Sequence, residues 1–426
     1  MTTYVIKDVA ILGGAESDIK IADGVIAAIG SGLTGDVVVN GKGCVALPGL
    51  VDLHTHLREP GREDAETVLS GSQAAAMGGF TSVHAMANTN PVADTAGVVE
   101  QVWRLGQQVN LVDVRPVGAV TVGLEGTALA ELGAMAESAA AVRVFSDDGK
   151  CVHDSVMMRR ALEYVKAFDG VVAQHAQEPR LTEGAQMNEG VISGKLGLTG
   201  WPAVAEEAII ARDVLLAEHV GSRLHVCHLS TAGSVDIIRW AKARGINVTA
   251  EVTPHHLYFT DDVVETYNPV FKVNPPLRTR ADVEAVRAGL ADGTIDIVAT
   301  DHAPHPAEDK DCEWAAAAFG MTGLESALAI VNDTMVKPGL LTWAQVADRM
   351  SIAPAHIGRV LDQGQPLEVG SPAHIVVFNP NIDIEVDPTR TVSASRNTPY
   401  AGYVLPGKVV ATFYRGRPTV LDGALA

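Results

Sequence analysis

The sequence has few of the features that mark secreted or membrane proteins. Its four cysteines lie far apart with no CxxC pair, which argues against a disulfide framework or a cysteine zinc site and favours a reducing cytoplasm. No run of 18 or more apolar residues exists, and the start, MTTYVIKDVAILGG, lacks the basic and apolar regions of a secretory signal. We therefore predict a cytoplasmic protein with no membrane partner.

Positive charge is also scarce. Lys and Arg number 32 against 51 Asp and Glu, so the formal net charge of −19 argues against nucleic acid or an anionic membrane as a main partner. The composition, 47% hydrophobic and 19% charged, is that of a globular protein and excludes disordered, collagen-like and coiled-coil classes. A length of 426 residues suits one barrel of about 250 residues or more with a smaller satellite domain.

Short strands broken by glycine turns occur at both ends of the chain. YVIKDVAIL lies near the N-terminus, and AHIVVFNP and YVLPGKVVATFY lie near the C-terminus. Alternating short strands with hairpin-like turns are typical of a sheet or sandwich. We predict one small β-sandwich domain formed by both chain termini, residues 1–48 and 361–426.

The middle of the chain has a different pattern, in which Val/Ile-rich runs alternate with Ala-rich helical segments. The runs are 49–56, 80–86, 112–120, 141–148, 170–176, 223–230, 246–252 and 295–303. Eight such runs predict an α/β fold, a (β/α)8 TIM-like barrel, over residues 49–360. An open doubly wound sheet explains the count less well, and no GxGxxG follows a strand.

Metal-binding residue types collect at the carboxyl ends of these runs, which form the active-site face of a barrel. Six positions share this placement: His54, His56, Asp148, His175, His228 and Asp301. Two histidines separated by one residue on a strand present both imidazoles on one face, where they can bind one cation. An isolated HxH motif is weak evidence, but here Arg58 follows the pair within VDLHTHLREPG.

Alternatives remain at two of these strand ends. In FSDDGK, Asp147 and Asp148 face opposite ways and only one can point into the barrel, while a carboxylated Lys150 would also be able to bridge two cations. His225 and His228 likewise face opposite sides of a strand, and the end position favours His228.

Other histidines are more typical of structural positions. A single histidine on an apolar run is usually a core residue, and we place His84, His255 and His256 in that class. Asp301 and His305, in ATDHAPH, end the last run. A metal-bound carboxylate has a second oxygen that can accept a proton, so Asp301 is the candidate general base.

The set predicts a two-metal hydrolase. His54, His56 and Asp301 would hold one cation and His175 and His228 the other, with Asp148 between them. Nitrogen and oxygen ligands favour Zn2+, with one or two ions per subunit and two favoured, although manganese or cobalt would also fit.

Five motifs, in their order along the chain, resemble those of the class I dihydroorotases of the amidohydrolase superfamily. They are GLVDLHTHLREPG, FSDDG, HVCHLST, KVNPPLR and ATDHAPH. The resemblance covers essentially the whole chain. It implies a zinc-dependent, reversible cyclisation of N-carbamoyl-L-aspartate to L-dihydroorotate in pyrimidine biosynthesis. It further implies that metal-bound hydroxide attacks the ring amide with Asp301 as general base and acid.

The resemblance also implies the remaining site residues. It makes Asp148, and not Asp147, the metal ligand of FSDDG. It places substrate-binding roles on Arg58, Asn88, Asn274, His305, Phe319 and Gly320. A guanidinium suits the carboxylate of dihydroorotate, because its planar donors match two oxygens. The acidic stretch 307–318 is interpreted as a lid.

Two other functions compete with this interpretation. Hydantoinases, dihydropyrimidinases and allantoinases are related cyclic-amide hydrolases, but they generally use a carboxylated lysine as the bridge. Hydantoins also lack the substrate carboxylate that Arg58 would bind. A catalytically silent homologue that only supports aspartate transcarbamoylase is less compatible with a full set of six ligands. Aspartate transcarbamoylase nevertheless stays a candidate partner, and the Ala-rich helices are compatible with a homodimer.

Overall fold

The computed structural model describes residues 2–426. Its strands are β1 Tyr4–Ile11, β2 Glu16–Ala22, β3 Val25–Gly30, β4 Val37–Asn40, β5 Val45–Pro48, β6 Leu50–Thr55, β7 Phe80–Ala85, β8 Asp113–Pro116, β9 Val144–Phe145, β10 Val171–Gln174, β11 Met187–Asn188, β12 Gly200–Trp201, β13 Arg223–Val226, β14 Val248–Val252, β15 Ile297–Val298, β16 Ile375–Glu385, β17 Val404–Tyr414, β18 Arg417–Leu421 and β19 Ala424–Leu425.

Helices occupy most of the connections between the strands. They are α1 Val68–Met77, α2 Ala96–Val109, α3 Leu132–Glu137, α4 Ser155–Val165, α5 Val191–Leu196, α6 Val204–Val220, α7 Ala232–Ala243, α8 Pro254–Tyr258, α9 Arg280–Asp292, α10 Ala307–Lys310, α11 Ala327–Val331, α12 Trp343–Ala347 and α13 Ala353–Gly358. Within the described chain, no helix is both long and apolar enough to cross a membrane.

Eight parallel strands form the barrel. β6, β7 and β8 pair in sequence, and so do β9, β10, β13, β14 and β15. Parallel bridges between Gly118 and Phe145 and between Thr55 and His302 join the two runs into a closed ring. Each of the eight predicted runs contains one of these strands, so the predicted barrel is confirmed.

The barrel strands are buried on both faces, as parallel strands covered by helices must be. Every residue of β6 is buried, including the polar Asp52 and His54. Local signals place the outer helices around them. Thr279 and Asp282 form a capping box at the start of α9, in which each side chain accepts from the other residue's backbone N–H.

A nine-stranded sheet combines the two ends of the chain. β1–β5 supply one part and β16–β19 the other, and the antiparallel pairing of β16 with β5 joins them, with Ile375 opposite Pro48. Its own core includes the fully buried Ile6, Ile19 and Phe413. The predicted β-sandwich domain from both termini is confirmed, whereas its exact limits, 1–48 and 361–426, remain predictions.

Candidate metal centre

The structure brings the six predicted strand-end residues together in one buried cluster. His54, His56 and Asp148 present ligand atoms that all lie within 4.8 Å of one another. Asp148, His175 and His228 form a second group by the same measure. Because Asp148 belongs to both groups, the cluster has the layout of two adjoining cation positions that share one carboxylate.

Asp148 is the centre of this cluster. Its Oδ1 lies 3.3 Å from His54 Nε2, 3.2 Å from His175 Nδ1 and 3.3 Å from His228 Nε2. Its Oδ2 lies 3.3 Å from His56 Nε2. One carboxylate therefore faces a ring nitrogen of all four histidines, which is the arrangement expected of a bridging ligand.

The neighbouring Asp147 points elsewhere. Its Oδ1 accepts the backbone N–H groups of Val120 and Thr121 at 2.8 and 3.0 Å, and its Oδ2 accepts the Thr121 hydroxyl. Lys150 is exposed to solvent. The strand end thus directs Asp148 alone toward the histidines, and Asp147 holds the loop that follows β8.

Asp301 approaches from the opposite side of the barrel mouth. Its Oδ1 lies 3.1 Å from His56 Nε2 and 3.5 Å from His54 Nε2, so it extends the group that contains these two histidines. Its backbone φ is +47°, and that of His228 is +30°. Positive φ is sparsely populated by residues with a Cβ, and such strain concentrates at functional sites.

The clustered charges shift the pKa values of the site. Burial alone would lower the pKa of His54, but the carboxylates of Asp148, Glu251 and Asp301 outweigh it and raise the pKa well above its ordinary value. Burial alone would raise the pKa of Asp301, but the charge on His54 and the hydrogen bond with His56 lower it to about 2. The carboxylate form of Asp301 therefore predominates at neutral pH.

Three of the four histidines are oriented by an outer partner. His54 Nδ1 lies 2.6 Å from Glu251 Oε1, and His56 Nδ1 lies 2.9 Å from Asn88 Oδ1. In His175 the outer nitrogen is Nε2, which lies 2.8 Å from the side-chain oxygen of Gln177. Each contact fixes the ring and directs its other nitrogen toward Asp148, as metal-binding imidazoles require.

The donor set fits a divalent metal ion. His54 Nε2 is buried and has no hydrogen-bond partner among residues 2–426, although Asp148 and Asp301 lie nearby. A buried imidazole nitrogen without a partner is costly unless a ligand satisfies it. Cys227 approaches the other side of His54, but burial raises the pKa of its thiol, so it stays protonated and is a poor ligand.

The residues with predicted substrate roles contact the cluster, its outer partners or one another. Arg58 is partly buried, and its Nε donates to the carbonyl of Pro304 at 3.1 Å. One terminal nitrogen lies 3.4 Å from His305 Nε2, which is itself 2.9 Å from the carbonyl oxygen of Phe319. Burial, with the nearby charge of Arg62, lowers the pKa of Arg58 to about 10, so it remains cationic at neutral pH.

Gly320 lies beside His305, and Asn274 lies beside Gln177. A Cβ on Gly320, whose φ is +137°, would lie 2.9 Å from His305 Nε2, so only glycine fits without moving the imidazole. The amide nitrogen of Asn274 donates to Gln177 Oε1 at 3.1 Å, while its Oδ1 is buried without a partner in the described chain. Asn88 lies against His56 and Asp148, so it faces the cluster directly.

The segment predicted as a lid is attached to the barrel by a buried lysine. Lys310 Nζ donates to the carbonyl oxygens of Pro269, Lys272 and Ala318 at 3.1, 3.0 and 2.7 Å. Asp309 Oδ2 of the same segment lies 3.2 Å from His305 Nδ1. The segment therefore contacts a substrate-site residue, and its role as a lid remains a prediction.

The other histidines weighed in the sequence analysis are buried, namely His84, His225, His255 and His256. His84 Nδ1 lies 3.1 Å from the carbonyl oxygen of Asp52, and His256 lies against Thr253 and the carbonyl of Pro275. His255 Nε2 has no hydrogen-bond partner in the described part of the chain. His225 contacts Glu251 Oε2 at 2.9 Å and so takes part in the support of His54, a link that the sequence did not suggest.

Comparison with known proteins gives several full-length relatives. A family model described as "Dihydro-orotase-like" matches residues 43–234. The chain is 68% identical to the "Dihydroorotase" of Streptomyces coelicolor, with 100% of both chains covered. It is 65% identical to that of Leifsonia xyli subsp. xyli, covering 99% of this chain and 97% of the relative. The dihydroorotase of Mycobacterium tuberculosis is 55% identical, with 97% and 96% covered.

Solved structures with the same architecture include hydantoinases. The L-hydantoinase (dihydropyrimidinase) of Arthrobacter aurescens superimposes with a TM-score of 0.87 at 25% identity, covering 100% of this chain and 98% of that structure. A D-hydantoinase superimposes with a TM-score of 0.85 at 24% identity, with 100% and 96% covered. At this identity the likeness supports the barrel and its attached sheet.

Proposed function

The chain belongs to the dihydroorotase family, and from this membership we propose how its own residues carry out the reaction. It is a cyclic-amide hydrolase of pyrimidine biosynthesis that interconverts N-carbamoyl-L-aspartate and L-dihydroorotate. The observation that carries the site assignment is the position of Asp148, within 3.3 Å of a ring nitrogen on all four clustered histidines.

The metal ligands follow from the two groups that share this carboxylate. His54, His56 and Asp301 would hold one ion, and His175 and His228 the other, with Asp148 between them. Imidazole and carboxylate ligands suit Zn2+, and the shared carboxylate favours two ions. When bound, such ions polarise the substrate carbonyl and lower the pKa of a water molecule.

Asp301 moves the proton in our account. It contacts both histidines of its group through Oδ1, which leaves Oδ2 available. In ring opening, Oδ2 takes a proton from the attacking water and delivers it to the ring nitrogen that leaves. In ring closure the same oxygen returns a proton to the departing carboxylate oxygen, because the two directions must follow one path.

Arg58 binds the substrate carboxylate. Its Nε is fixed on the Pro304 carbonyl, so the guanidinium plane is held and its terminal nitrogens form a paired donor. Asn88 and Asn274 supply neutral amides, and Oδ1 of Asn274, which has no partner among residues 2–426, is an acceptor for a substrate N–H. The backbone of Phe319 and Gly320, beside His305, closes the pocket around the ring.

Hydantoin hydrolysis is the second candidate, because the hydantoinases share this fold. Two observations favour the dihydroorotase assignment. Asp148 supplies a carboxylate where the four histidines converge. Lys150 is exposed to solvent and so does not occupy the bridging position. The relatives of 55–68% identity are dihydroorotases, whereas the hydantoinase structures are 24–25% identical.

The test compares ring opening of L-dihydroorotate and of hydantoin by the purified, zinc-loaded chain. We expect dihydroorotate to be opened, and activity to be lost on chelation and restored by zinc. Opening of hydantoin alone would favour the second candidate. The same assay with added aspartate transcarbamoylase tests the proposed partner, and the mass of the active species in solution tests the proposed homodimer.

A further inference from the structure

Two histidines on opposite sides of Asp148, His54 and His175, have outer partners of different charge, whereas His56, on the side of His54, rests on the neutral Asn88. His54 rests on a carboxylate, Glu251, and His175 rests on a neutral amide, Gln177. The proposed metal ligands are the inner nitrogens of these rings, whereas these partners contact the outer nitrogens. Their difference has a consequence for how each side binds a cation.

Glu251 is held rigidly in the barrel wall. It lies in β14 and is fully buried. Its Oε1 lies 2.6 Å from His54 Nδ1 and accepts the backbone N–H of His228 at 3.1 Å, and its Oε2 lies 2.9 Å from His225 Nε2. His225 in turn is 2.8 Å from the hydroxyl of Thr249. Within residues 2–426, the ion pairs of Glu251 are with histidines and not with lysine or arginine.

Gln177 carries no charge on the other side. Its Oε1 lies 2.8 Å from His175 Nε2 and accepts from the Asn274 amide at 3.1 Å. Its Nε2 donates to the Thr182 hydroxyl at 2.8 Å. The amide is therefore oriented by several contacts, as the carboxylate is, and the two supports differ in charge and in burial, since Gln177 is only partly buried.

An anionic acceptor draws the Nδ1 proton of an imidazole toward itself and makes the opposite nitrogen a stronger electron donor. The effect is larger in a buried, low-dielectric setting, where charges are weakly screened. Asp301 adds a further carboxylate on the His54 side. The shared Asp148 serves both sides and so does not distinguish them.

We propose that Glu251 and Gln177 make the two cation positions unequal, so that the position of His54 and His56 binds metal more tightly than the position of His175 and His228. Glu251 acts here as a positioning residue through His54. The inference rests on the proposed metal site and adds the order in which its two positions fill.

The experiment is a metal titration of the full chain. Zinc-loaded protein is dialysed against graded concentrations of a chelator, the zinc retained is counted by atomic emission, and anomalous diffraction locates it. We expect a half-loaded species with zinc at His54 and His56. Glu251→Gln should weaken that position by about 10- to 100-fold, the usual cost of losing an outer partner. Gln177→Glu should strengthen the other position and reduce the difference.

Glu206→Gln is the matched control. Glu206 is equally buried and undergoes the same chemical change, but its partners are Ser230, Ser234 and Arg278. Zinc retained first at His175 and His228, or an equal loss of affinity in the Glu206 variant, would overturn the inference while the proposed function stood. If Glu251→Gln does not fold, an unchanged second position in Gln177→Glu would overturn it equally. A wild-type chain that holds no zinc would instead contradict the proposed function.

Discussion

Substitution of Arg58 by lysine is expected to weaken the binding of L-dihydroorotate without removing the positive charge. In the structure, the Nε of Arg58 donates to the Pro304 carbonyl, and of its terminal nitrogens one makes only a long 3.4 Å contact with His305 Nε2, so both can turn to a substrate carboxylate. A lysine ammonium provides one point contact in place of that pair. The loss of one charge-assisted hydrogen bond costs about 1.5–3 kcal/mol, which corresponds to a rise in KM of about tenfold to 150-fold.

The assay is an initial-rate measurement over a range of substrate concentrations, made at equal zinc content. Because a substrate carboxylate is bound similarly in the ground and transition states, kcat should change little. Arg115→Lys is the matched control, since Arg115 lies on β8 and pairs with Asp113 away from the cluster. An unchanged KM in the Arg58 variant, or an equal rise in the control, would refute the assignment.

Three further outcomes are expected. Gly320→Ala should raise KM, since its Cβ would meet His305 at 2.9 Å, and a variant with wild-type kinetics would contradict this contact. Burial, reinforced by the charge of Lys272, lowers the pKa of Lys310 to about 7. The unfolded chain therefore binds more protons than the folded one between about pH 7 and 10.4, and the free energy of unfolding should rise with pH there. Denaturant titrations should show this slope in the wild type and a smaller one in Lys310→Met; equal slopes would count against it. Finally, ring closure should be favoured at low pH and opening at high pH, because Asp301 must be protonated for one and ionised for the other; identical pH profiles would exclude this role.

The main features of the fold were predictable because they depend on local periodicity. Short apolar runs separated by helical segments indicated the eight strands, and strand ends in a barrel meet on one face. This is why His54, His56, His175, His228 and Asp301, which are far apart in sequence, were expected to converge. The sequence pattern therefore predicted that these side chains converge, and the structure gives the distances between them.

The choice between two neighbouring candidate ligands depends on which way each side chain points, and the sequence pattern alone does not determine this. Asp147 and Asp148 are adjacent and chemically identical, and the family motif chose between them. In the structure their directions are set by the loop after β8, whose N–H groups at Val120 and Thr121 capture Asp147. This contact joins residues 26 to 27 positions apart and leaves no local signal.

The outer partners of the histidines were harder still to predict. Glu251 appears in the sequence as one acid in the strand VTAEV, and its link to His54 spans 197 residues across the barrel. A charged residue in a buried strand was the available signal, because such a group requires a partner. Gln177, two residues after His175, is similar in that its contact with the imidazole depends on the direction of the chain after β10.

In the proposed mechanism, Asp301 moves the proton in a metal-supported ring opening. The most direct measurement compares dihydroorotate hydrolysis by the wild-type chain and by Asp301→Asn at equal, measured zinc content. We expect a loss of about 10²- to 10⁴-fold in kcat with the fold unchanged. Turnover near the wild-type level in the zinc-loaded variant would contradict it.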